Sequence, residues 1–209
     1  LRAWIDRQLA PETIDDSACE NRLASFTMLA LSGPDLGDME EAVRKGNVQA
    51  ILRQRRQAPG MEETGRREAM ASLTEAQRQQ IAQAQRARRD LAEAGRQLLV
   101  GKVVRAAHSE RQLQEVLVDF WSNHFNIDVS KSRILKVADE RDVISRHAMG
   151  RFSDLLLASA KSPAMLVYLD NFQSVAPQPM PTGARRPRTA ARGLNENYAR
   201  ELMELHTLG

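Results

Sequence analysis

Residues 74–108 read TEAQRQQIAQAQRARRDLAEAGRQLLVGKVVRAAH and point to one conformation, a long α-helix. Thr74 and Gln77, three residues apart, fit a capping box in which each side chain satisfies the other's backbone N–H, and Glu75 places a carboxylate near the positive helix end. Ala, Gln, Arg and Glu lose little side-chain freedom in a helix, so the composition reinforces the cap. Ala84, Ala87, Leu91, Ala94 and Leu98 recur in steps of three and four, which makes a narrow seam for close packing against a neighbour. The helix is rich in Arg, but Glu75, Asp90 and Glu93 dilute the charge, and a solvated outer face is the better reading than a nucleic-acid or lipid surface.

Toward the N-terminus the same periodicity continues in shorter pieces. Leu1 to Leu31 reads as two short helices broken near Pro11, with Trp4, Ile5 and Leu9 as an apolar face and Asp15, Asp16 and Ser17 as helix-starting residues. Ser32-Gly33-Pro34-Asp35 reads as a turn, and Met39 to Arg55 as a further helix carrying Val43, Val48, Ile51 and Leu52.

Toward the C-terminus the chain is more apolar. Leu113, Val116, Leu117, Phe120 and Trp121 form a helical stripe, Val143 and Ile144 mark another short helix, and Gly150 ends it before Phe152, Leu155 and Leu156 begin the next. Ser162-Pro163 starts a helix with Ser as cap and Pro in the first turn. Residues 175–193 carry four prolines and four arginines and read as a mobile loop. Asn195 caps the last helix, with Leu194 as a hydrophobic staple, and Tyr198, Leu202, Leu205 and Leu208 share one face with Glu201 among them. The expected fold is therefore all-α, an irregular multi-helix bundle with long loops. We expect one helical domain over 1–209, made of N-terminal helices (1–60), a long Ala/Gln/Arg-rich helix (61–110) and an apolar helical core (111–209).

The bulk numbers exclude several classes. Hydrophobic residues at 42% against 27% charged give an ordinary globular balance, which argues against a disordered chain. The net charge is only +3, and the one basic cluster, Arg185, Arg186, Arg188 and Arg192, lacks aromatic neighbours, so no nucleic-acid partner is expected. A single cysteine, Cys19, rules out an intrachain disulfide framework and a multi-Cys zinc site. No run of about 18 apolar residues exists to span a bilayer. No signal peptide is read in the chain. It opens on Leu1 within an apparent helix, and an upstream segment is expected.

Four stretches carry a resemblance: IDRQLAPETIDDSACENRLA (Ile5–Ala24), FWSNHFN (Phe120–Asn126), RHAMGRFSDLLLASAKSPAMLVYLDN (Arg146–Asn171) and NENYARELMELHTLG (Asn195–Gly209). Together they resemble a large bacterial family catalogued as domain of unknown function 1800. The resemblance implies a longer protein of which this chain is part, truncated at both ends. It further implies frequent export to the periplasm or outside the cell, and a sulfatase-like protein encoded nearby as a partner. It brings no agreed activity.

Within this frame a few polar residues sit where a helical core wants apolar ones. His124 follows Leu117 and Phe120 at helical spacing, His147 follows Val143 and Ile144, Asp170 closes the helix begun at Pro163, and Glu201 and Glu204 lie on or beside the apolar face of the last helix, with His206 off its other flank. A carboxylate on an apolar face is costly unless paired, hydrogen-bonded or metal-bound. His124, His147, Glu201 and Glu204 are thus candidate acid–base residues, and His124, His147, Asp170 and Glu201 candidate ligands for a divalent metal. Lys131, Arg133, Arg141 and Arg146 are the cations available to an anionic group nearby. The Glu-then-His spacing of helical di-metal sites, zinc-protease spacing, a phosphate loop and a nucleophile elbow are all absent. Two readings remain: a helical scaffold or partner-binding protein in which these residues form a structural polar network, and a metal-assisted or acid–base hydrolytic enzyme with a His/Glu pocket. The lack of any reaction signature favours the first.

Overall fold

The computed structural model describes residues 1–45, 74–128, 131, 133–176 and 193–208, and no strand occurs among them. The helices are α1 (Arg2–Gln8), α2 (Ser17–Leu23), α3 (Gly33–Lys45), α4 (Glu75–His108), α5 (Gln112–His124), α6 (Arg133–Asp139), α7 (Ser145–His147), α8 (Phe152–Lys161), α9 (Pro163–Tyr168) and α10 (Glu196–Met203). Two wider π turns occur, Glu140–Ile144 joining α6 to α7 and Glu204–Leu208 following α10. The all-α expectation holds.

The 34-residue helix α4 begins as its sequence requires, with Thr74 Oγ1 accepting from Gln77 N at 3.3 Å and Gln77 Oε1 accepting from Thr74 N at 3.1 Å. Its small-residue seam faces inward: Ala84, Ala87, Ala94 and Leu98 are buried, and α3 and α6 pack against this helix. Around it Leu36, Ala94, Leu98, Ile134 and Val137 form one apolar cluster. A second cluster, Val118, Phe125, Ile127, Leu135, Ile144, Ala148, Leu155, Ala164 and Met165, is built by the C-terminal helices. Helix α6 serves both, sending Ile134 and Val137 to the first cluster and Leu135 to the second. This burial carries Lys136 and Asp139 inside with it, their charged ends 3.6 Å apart. Burial pushes the Asp139 carboxyl above its usual range, and the Lys136 charge only partly offsets this.

Several local expectations change. Ser32–Asp35 is the start of α3: Ser32 Oγ accepts from Asp35 N at 3.3 Å, and Asp35 Oδ2 accepts from Ser32 N at 3.3 Å. That reciprocal pair is a helix cap, and Pro34 sits in the first turn, where its missing N–H has no cost. The expected continuation of this helix beyond Lys45 lies outside the described residues, as do residues 177–192 of the expected loop. The ends of that loop are tied together, Val175 N donating to Gly193 O at 3.2 Å and Asn195 N to Ser174 Oγ at 2.9 Å. Leu194 is 68% exposed and staples nothing.

In α1 the expected apolar face, Trp4, Ile5 and Leu9, is exposed and Gln8 is buried instead. Gln8 donates to Glu110 O at 2.8 Å and accepts from Leu113 N at 3.0 Å, while Asp16 accepts from Ser109 Oγ at 2.9 Å and from Glu110 N at 2.7 Å. Gln8 thus supplies an acceptor that the first turn of α5 lacks, and Asp16 fixes Ser109 and Glu110, the two residues ahead of its N-cap Arg111. Those first N–H groups have no intrahelical partner, and burying them unpaired would be costly.

Candidate functional site

The stripe on α5 is wider than the face it buries. Val118, Ser122 and Phe125 face the core, whereas Val116 and Phe120 are exposed. The C-terminal end of α5 consequently carries a partly open group of rings. Trp121 lies 4.8 Å from Phe120 and 5.6 Å from Phe152, the first residue of α8, both between ring centroids. Its indole N–H donates to Ala148 O at 3.1 Å, which orients the ring and satisfies its one donor. His124 stands among Phe120, Trp121, Phe125 and Phe152, with centroid separations of 4.8 to 6.4 Å.

His206 completes the group. It is buried and stacks on Phe125 at 5.2 Å with the planes 11° apart. His124 Nε2 lies 3.0 Å from the His206 carbonyl oxygen. A carbonyl only accepts, so His124 carries its proton on Nε2 and donates, satisfying one of the carbonyls left unpaired at the end of the last helix. Burial holds the His206 imidazole below its ordinary pKa, and the neighbouring His124 works in the same direction; the His124 main chain and the Glu201 charge oppose it. His206 Nδ1 has no hydrogen-bond partner.

An α-helical projection puts His206 on the flank of the last helix, and the structure corrects this. The chain widens into a π turn at Glu204, and each residue there advances by less than the about 100° of an α-helix. Over the next residues the side chains lag, which brings His206 round to the Tyr198–Leu202 side and leaves Leu205 and Leu208 exposed. Nothing in the spacing announces a π turn, so this residue was not legible as part of the site. Sequence reads Phe152 only as the start of a helix, whereas the structure leaves it 41% exposed within the ring group.

The other candidates are dispersed. His147 Nδ1 donates to Val143 O, one turn back, at 2.7 Å. Asp170 is exposed, adopts a left-handed backbone with φ 58° and starts the short turn Asn171–Gln173. Glu201 accepts from Asn197 at 3.4 Å and lies 4.0 Å from the Arg200 guanidinium, and the exposed Glu204 is also 4.0 Å from Arg200. The structure therefore brings His124 together with His206, and Glu201 within electrostatic reach of His206. Among the described residues no group of three or more His, Cys, Asp or Glu side chains is placed to hold a metal ion. Of the cations, Lys131 lies over the Tyr168 ring at 5.1 Å, Arg141 donates to Leu29 O and Leu31 O and pairs with Asp142, and Arg146 reaches Asp142 at 3.4 Å. No described helix is long and apolar enough to cross a membrane.

Fold and site define an all-helical protein with two histidines, His124 and His206, set in an aromatic cluster. The chain belongs to the family described as "Protein of unknown function (DUF1800)", whose pattern matches residues 1–209, the whole chain. No curated protein and no solved structure matches it.

Proposed function

We propose that the protein is a non-catalytic, exported helical binding protein that docks onto a sulfatase-like protein encoded nearby, through the ring face around His124. Export and the partner come from the family resemblance; the docking face comes from this chain. The observation that carries it is that Phe120 and Phe152 leave 55% and 41% of their surface exposed while held in the same ring cluster as Trp121 and His124. Exposed aromatic rings fixed by a buried layer are the kind of residue that dominates protein interfaces, because little side-chain freedom is left to lose on binding. The His124–His206 bond supports the reading, since it ties the last helix to the same face.

The test is calorimetric titration of the purified protein with the purified sulfatase-like protein, beside a Phe120→Ser, Phe152→Ser variant. The expected result is a saturable complex whose affinity falls at least tenfold in the variant while its thermal stability is retained. Absence of a complex at concentrations up to about 100 μM, or equal binding by the variant, would overturn the proposal.

A further inference from the structure

A second feature lies on the N-terminal half of α5. There a cleft of about 660 Å³ opens between the C-terminal half of α4, α5 and the π turn Glu140–Ile144. Its volume falls in the range of small-molecule sites. Apolar side chains, among them Leu98, Val103 and Val118, make part of the wall, and charged side chains of both signs make the rest.

Most of these charges are already engaged. Asp16 holds Ser109 and Glu110, just ahead of α5. Arg111 donates to Ile14 O, and Arg141 to Leu29 O and Leu31 O. Lys102 holds Glu140 Oε1 at 2.9 Å, and Glu140, 6% exposed, keeps its other carboxylate oxygen without a partner. Arg105 and Glu115 remain, together with the exposed Glu20 and Asp119. Arg105 and Glu115 attract each other electrostatically, yet among the described residues no ion pair or side-chain hydrogen bond engages either one. Burial raises the Glu115 carboxyl above its usual range, Asp16, Glu140 and Glu20 add to this, and Arg105 opposes it. Beside the solvated Glu20 and Asp119, one guanidinium and one partly buried carboxyl group thus line a single cleft with apolar wall between helices.

We propose that this cleft binds a small zwitterion, an α-amino acid with an apolar side chain: its carboxylate on Arg105, its ammonium on Glu115, and its side chain on the apolar wall. A simple anion would leave Glu115 unanswered, and a simple cation would leave Arg105 so; one small molecule carrying both charges answers both. Guanidinium–carboxylate and ammonium–carboxylate contacts are charge-assisted and gain strength in a partly desolvated cleft. The site uses none of the rings of the docking face.

The test is titration of the full chain with each of the twenty free L-amino acids alone, followed by amide NMR shifts. At least one apolar amino acid should bind saturably, and its N-acetylated and C-amidated derivatives should each bind at least tenfold more weakly. Glu115→Gln and Arg105→Gln should weaken it similarly while the melting temperature is held, and Arg105→Lys should restore part of the loss. If no amino acid saturates below about 10 mM, or if a derivative lacking one charge binds as well as its parent, the proposal is overturned.

Discussion

His206 shows how a single residue ties the end of the chain to its core. Its ring stacks on Phe125, its carbonyl accepts from His124, and burial keeps the imidazole below its ordinary value of 6.5. The linkage has a definite sign. The unfolded chain takes up a proton near pH 6.5 and the folded chain only at lower pH, so this residue's contribution is intact above the unfolded value and is lost as pH falls toward the folded one. His206→Phe keeps a ring on Phe125 and cannot titrate. Denaturant unfolding between pH 7 and pH 5 should show wild type losing stability more steeply than this variant; parallel curves would mean His206 is protonated as easily folded as unfolded. His124 was legible as a polar residue at helical spacing among aromatics. His206 was not, because its inward position depends on the π turn, and an α-helical projection places it elsewhere.

At the scale of elements, the caps decide what the sequence reveals. Local caps were readable: Thr74 with Gln77 for α4, Ser162 for α9, whose Oγ accepts from Met165 N at 3.1 Å, and Asn195 for α10, whose Oδ1 accepts from Tyr198 N at 3.2 Å. Each partner lies three residues from its cap, so spacing finds it. The contacts that hold the start of α5 were not readable, since Asp16 reaches Glu110 and Gln8 reaches Leu113 from 94 and 105 residues away. That difference makes a prediction. Asp16→Ala removes two charge-assisted bonds from a buried site and should cost about 2–4 kcal/mol, a fall in melting temperature of roughly 2–4 °C per kcal/mol. Asp15→Ala, one residue away and exposed, gives up only its bond from Ser17 N and should cost less, about 0.5–1 kcal/mol. Thermal unfolding of the two variants separates them, and equal effects would contradict the assignment of Asp16 as the anchor of the segment leading into α5.

At the scale of the molecule, α6 joins two apolar clusters, and the rings at the end of α5 form a face that those clusters support. The helical class was legible because the apolar periodicity of residues 74–108 and 113–121 is local. The exposed face was not, because the periodicity of Val116, Leu117, Phe120 and Trp121 shows only that they share one side of a helix, and says nothing of what covers them. The central claim is that this face meets a partner, and hydrogen exchange of the chain with and without the sulfatase-like protein tests it most directly. The account predicts slowed exchange confined to the amides of residues 116–125, 152–156 and 201–208. Unchanged exchange across those segments at saturating partner, or protection confined to α1 and α4, would contradict it.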